Sequence, residues 1–203
     1  MSDGLFGFTN QQIFLATVAY AITSITQRST AIKNVLNGRL VINPYSDLPN
    51  THVLPPDSIR SIAPFSTYGV IIVPQRSNQS AWEYVNTVKR SSNMMPNGGL
   101  GYSLLKTLTD CQPQPGEIAA LQLAFNYTKG SNDRRRDSSL LTPIKISASW
   151  QDPSNPYPMG ALVSDRGSTG IQLRWVYDDF TQRDLGPLLS NMTRTFLDEL
   201  AVA

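Results

Sequence analysis

The chain has 203 residues, a net charge of +2, and only 16% charged residues, well below the roughly 25% of an average soluble protein. It holds one histidine, His52, and one cysteine, Cys111. A structural zinc site of four Cys/His ligands and an intramolecular disulfide are therefore both excluded.

From the N-terminus, Met1–Gln27 contains no Lys or Arg, so no secretory signal with a basic leader is expected. The run from Ile13 to Ile25 is apolar but too short, and too broken by Thr and Ser, for a membrane span. Residues 9–36 read as one helix capped by Thr9 or Asn10, with Phe14, Val18, Ile22, Ile25, Ile32 and Leu36 at near-helical spacing. Asn37-Gly38 ends it, and Arg39–Ile42 reads as a short strand. Five prolines make residues 43–64 an irregular connection. Thr67–Val73 reads as a strand stopped by Pro74, and Ser80–Arg90 as a helix with Trp82, Val85 and Val88 inward. A helical turn over Tyr102–Leu108 precedes the breaker Gln112-Pro-Gln-Pro-Gly116, the best internal boundary. The chain divides there into 1–115, an extension and assembly region, and 116–203, with both expected to form one intertwined unit.

Beyond Gly116 the period changes to two. In Leu121–Thr128 the residues Leu121, Leu123, Phe125 and Tyr127 point one way, and Gln122, Ala124, Asn126 and Thr128 the other. After a polar loop, Ile144–Trp150 alternates with Lys145, Ser147 and Ser149 on its polar side. A Pro-rich turn over Asp152–Gly160 follows. Then Ile171–Tyr177 puts Gln172, Arg174 and Val176 opposite its apolar residues. Thr181 can cap a last helix in which Leu185, Leu188, Leu189, Met192, Phe196 and Leu200 form a stripe. The predicted fold class is thus α+β: an antiparallel sheet with one polar face and one face covered by the C-terminal helix, preceded by a long N-terminal helix.

The polar face carries Gln122, Asn126, Lys145, Ser147, Ser149, Gln172 and Arg174, with two cations and no carboxylate. Amides and hydroxyls suit bases and ribose, and Lys and Arg suit phosphates. Arg134, Arg135 and Arg136, in the loop between two strands, read either as a solvated turn offset by Asp133 and Asp137 or as a further phosphate contact. His52 reads as a loop histidine, Cys111 as an inert thiol, and Asp178-Asp179 as a loop or cap pair, because adjacent strand residues face opposite ways. No catalytic residue, cofactor or metal is expected, and the chain is not expected to be an enzyme.

The stretches Leu121-Gln-Leu-Ala-Phe-Asn-Tyr127, Pro143 to Pro153 and Gly170 to Leu185, in their β–β–β–α order, resemble the coat proteins of single-stranded RNA bacteriophages of the levivirus type. The resemblance covers residues 118–203; the N-terminal half departs from that family. It implies a homodimer that builds an icosahedral shell, binds genomic RNA on its inner sheet face through the residues just named, and resides in a virion assembled in the host cytoplasm. Two other readings compete. One is a membrane-active, pore-forming cytolysin using the charge-free helix at 9–27. The other is a small hydrolase built on His52.

Overall fold

The computed structural model describes residues 7–37, 66–95, 123–129, 159–177 and 185–202. Helix α1, Asn10–Thr26, starts at a capping box in which the Thr9 hydroxyl and the Gln12 side chain each accept from the other's backbone N–H, satisfying two amides that a helix start leaves open. It ends at Gln27, which adopts a left-handed conformation with φ 53. Nine of its residues are buried, from Ile13 to Thr23. That burial runs nearly all round the helix, which makes it a central element rather than an amphipathic surface one.

Strand β1, Thr30–Asn37, follows directly. The helix expected over 9–36 therefore stops at Thr26, and residues 30–36, whose Ile32/Leu36 spacing suggests helix, are strand. Here Ile32 and Asn34 are buried, while Ala31, Lys33 and Val35 between them stay partly exposed, a period of two. Strand β2 is Ser66–Val73, helix α2 is Ala81–Asn93, β3 is Leu123–Lys129, β4 is Met159–Asp165, β5 is Ile171–Tyr177 and helix α3 is Leu185–Val202. The expected strands at 67–73, 121–128 and 171–177 and the expected helices at 80–90 and near the C-terminus are present. Expected elements at 39–42, 102–108 and 144–150 lie outside the described residues.

The fold class is α+β, with an N-terminal and a C-terminal helix, as the sequence indicates. The sheet order is β2-β1-β3-β4-β5. β1, β3 and β4 run parallel to one another, with Ile32 beside Leu123 and Phe125 beside Ala161. The flanking strands β2 and β5 are antiparallel to their neighbours. The sheet is therefore mixed rather than wholly antiparallel, and it draws strands from both sides of Gly116. Parallel neighbours need long crossovers and put central strands under cover; accordingly Leu123, Ala124 and Phe125 are all buried.

The core lies between one sheet face and the three described helices. Ile32, Ile71, Val73, Phe125, Ala161 and Val163 meet Val18, Ile22, Val85, Val88, Leu189 and Phe196 there. At its centre Tyr20 stacks on Phe196 with centroids 4.9 Å apart, and the Tyr84 ring meets Phe196 edge-on at 5.9 Å, a favoured aromatic geometry. The Tyr84 hydroxyl donates to the Pro74 carbonyl at 2.9 Å and lies 3.4 Å from the Thr23 hydroxyl. Trp175 reaches from β5 to α3, its indole N–H donating to Thr193. Of the expected α3 stripe, Leu189, Phe196 and Leu200 are buried, whereas Leu188 is exposed.

Candidate functional site

Among the described residues, three places bring polar or charged side chains together. The first is the sheet face turned away from the helices. Register puts Asn126 beside Leu162, and Leu162 beside Arg174. The next row is Thr128, Ser164 and Gln172. Asn126, Gln172 and Arg174 thus share one face, as the period-two pattern requires. Gln172 is already engaged, accepting from the Arg166 guanidinium at 2.9 Å. Gln122, Lys145, Ser147, Ser149, Arg134, Arg135 and Arg136 lie outside the described residues, as do His52, Cys111, Asp178 and Asp179.

This face is less polar than the strand patterns suggest. Val35, Val70, Leu162 and Val176 share it, partly exposed, and Ile72 is 70% exposed. Among the described residues its second cation is Lys33, whose ammonium sits 3.8 Å from the Tyr68 ring centroid, within cation–π range. Reading 30–36 as helix hides Lys33 from sequence reasoning; the alternation of Ile32, Asn34 and Leu36 is the signal that reveals it.

The second place is the end of β4. The buried Asp165 carboxylate accepts from the Tyr127 hydroxyl at 2.6 Å, the Asn10 amide at 3.1 Å and the Gly167 backbone N–H at 2.9 Å. These bonds, the one from Tyr127 foremost, hold Asp165 below the usual carboxylate range, since hydrogen bonds to the ionised form favour it. Burial, and then the bond to Asp165, push the Tyr127 hydroxyl upward. Neither group is poised for proton transfer near neutral pH, which needs an acid or base matched to the working pH. The cluster instead ties the start of α1 to the β4–β5 turn. Asp165-Arg-Gly167 is an Asx-turn pattern, legible in the sequence once the strand end is placed there. Among the described residues, no group of three or more His, Cys, Asp or Glu could hold a metal ion.

The third place is the junction of α1, the β2–α2 connection and α3. Arg76 reaches Glu199 at 2.7 Å and donates through Nε to the Gln79 carbonyl at 2.9 Å. Its guanidinium lies 5.3 Å from the Tyr20 ring centroid and 5.7 Å from that of Phe196. Clefts of about 600 and 350 Å³ open on either side, and both are lined by Arg76 and Glu199.

Among solved structures, the chain is similar to the epimerization domain from the third module of tyrocidine synthetase B. The TM-score is 0.65 at 15% identity, over 93% of this chain and 40% of that one. It is similar also to the starter condensation domain of rhizomide synthetase, with TM-score 0.57 at 11% identity over 94% and 42%. The first condensation domain of the CDA synthetase gives 0.54 at 12% identity over 93% and 39%. At these identities the likeness shows a shared fold. This chain spans about two fifths of the length of each. No family model and no curated protein matches the sequence.

These matches overturn the coat-protein reading. The β–β–β–α order that carries the resemblance is embedded in a mixed sheet, and the structures sharing that sheet are synthetase and synthase domains, not capsid subunits. The homodimeric icosahedral shell, the single-stranded RNA partner, the structural-protein role and the virion location fall with it. So does the expectation of a chain without catalysis, because the neighbours are named for condensation and epimerization. The cytolysin alternative fails on the same matches. In addition, its inserting helix is α1, whose apolar residues already form the core, and no described helix is long and apolar enough to cross a membrane.

Proposed function

We propose that this chain contributes part of an epimerization-type domain of a peptide-assembling synthetase. The observation that supports it is the match to the tyrocidine synthetase epimerization domain, at TM-score 0.65 over 93% of this chain. The condensation domains score lower, at 0.54 to 0.57. In such a domain the reaction inverts an aminoacyl α-carbon: a base removes the α-proton and an acid returns one to the opposite face. Asp165 does not serve as that base, because its lone pairs already hold Tyr127, Asn10 and Gly167. The described residues supply scaffold and substrate surface, and segments 1–115 and 116–203 act as one unit.

The test is a titration of the isotopically labelled chain with the N-acetylcysteamine thioester of an L-dipeptide, followed by amide chemical shifts. Saturable shifts are the expected result. An unchanged spectrum at millimolar thioester, with no α-deuterium gained in heavy water, would overturn the proposal.

A further inference from the structure

The clefts flanking Arg76 have a feature the epimerization reading does not use. Arg76 presents a guanidinium that lies over the Tyr20 and Phe196 rings and whose Nε is anchored on the Gln79 carbonyl. A fork held in this way matches a carboxylate bidentately. Its present partner is the Glu199 carboxylate, with side chains 15% and 39% exposed. Glu199 is the more exposed partner, and a ligand carboxylate that takes its place keeps the largely buried guanidinium paired. The smaller cleft, about 350 Å³, is lined almost wholly by polar groups, among them Ser24, Gln27, Gln75 and Ser77.

Gln27 marks the same place. It is the only non-glycine residue among the described ones with positive φ, 53, at a helix end where glycine is preferred. Its amide carbonyl accepts from the Gln75 side chain at 2.8 Å, forming part of the cleft wall. A strained residue at a cleft points to a role for its side chain.

We propose that this cleft binds a small, polar, free α-amino acid. The ligand carboxylate takes the Arg76 fork in place of Glu199, and the released Glu199 takes the ligand ammonium. The hydroxyls of Ser24 and Ser77 and the Gln75 amide meet its side chain, on a wall that Gln27 holds through its bonds to the Ser24 carbonyl and to Gln75. One internal ion pair thereby becomes two intermolecular ones, and no charge is left unpaired.

Calorimetric titration of the chain with L-serine tests this. Saturable binding is expected. N-acetyl-L-serine, which lacks the ammonium, and L-serinamide, which lacks the carboxylate, should each bind at least roughly tenfold more weakly. E199Q should lose a similar factor while keeping its circular dichroism spectrum. Q27G, which relieves the left-handed strain but removes the bonds to the Ser24 carbonyl and to Gln75, should weaken serine binding while keeping its circular dichroism spectrum. The absence of saturable heat with L-serine would overturn the proposal, as would either derivative binding as tightly as L-serine, or wild-type affinity in E199Q. The proposal does not depend on the epimerization reading: a dipeptide thioester has no free carboxylate for Arg76, so the two titrations succeed or fail separately.

Discussion

Replacing Tyr84 by Phe removes one oxygen from the centre of the core, and its effect should change with pH. Tyr84 is fully buried, with its hydroxyl donating to the Pro74 carbonyl. Phe keeps the ring contacts with Tyr20 and Phe196 but leaves that carbonyl without its donor, at a cost of about 1–2 kcal/mol near neutral pH. Burial, only partly offset by the Thr23 hydroxyl and Arg76, raises the Tyr84 hydroxyl from 10.0 to about 12. The native state therefore holds this proton more tightly than the unfolded chain. Tyr84's contribution is complete below pH 10. It falls as the unfolded phenol ionises, by about 2 kcal/mol at pH 12. Wild type should thus exceed Y84F at pH 8, and the gap should close or reverse by pH 12. Urea unfolding of both proteins at a series of pH values reads this difference, and groups common to both cancel. A gap that stays constant from pH 8 to pH 12 would refute the reasoning, because a buried neutral phenol cannot be indifferent to the ionisation of its unfolded form.

Three other substitutions probe the remaining supports. D165N replaces an ionised acceptor of three hydrogen bonds with an amide, and should cost about 1.5–3 kcal/mol at pH 7 by chemical denaturation. Because Asp165 is held below its usual range, the carboxylate's advantage is present above the unfolded value of about 3.9 and vanishes as pH falls through the folded value; the penalty should therefore shrink towards pH 2. F196A empties the middle of the aromatic cluster and should destabilise by about 3–5 kcal/mol, measured by the urea midpoint at constant slope. At Gly69, which is buried in β2, an added Cβ would overlap the Met95 sulfur. G69A should displace that flexible side chain at a cost of about 1–3 kcal/mol in thermal unfolding.

The legible parts of the fold are those whose burial is one-sided. β5 is an edge strand, and its apolar residues Ile171, Leu173 and Trp175 alternate with the exposed Gln172 and Arg174, so the sequence pattern is clean. α3 is similar, with a buried stripe and an exposed back. β4 is not legible in this way. Its burial alternates from Ala161 to Asp165, but the buried positions end on a polar Asp and the opposite face carries Leu162, so the residue types do not alternate, and Met159 and Gly160 look like the tail of a Pro-rich turn. β1 is hidden by coincidence: Ile32 and Leu36, four apart, continue the period of α1, and only the left-handed Gln27 breaks it. Of the candidate site, Asn126, Gln172 and Arg174 were placed on a common face by alternation alone. Arg76 with Glu199 and Tyr127 with Asp165 were not, because 123 and 38 residues of chain separate the partners.

The difference between the coat-protein reading and the observed fold is also a matter of range. Both assign strands near 123–129 and 171–177 followed by an amphipathic helix, and local periodicity satisfies both equally. They part on whether the strands beside β3 run with it or against it, and that depends on chain far away in sequence: β1 on one side and β4 on the other. The informative region was therefore residues 9–37. A helix buried nearly all round cannot be an appendage, since each of its faces needs a partner. Nine uncharged buried residues in α1 require covering elements on several sides, which α2, α3 and the sheet supply together. The charge-free run that suggested a pore-forming helix is better explained as the centre of the core.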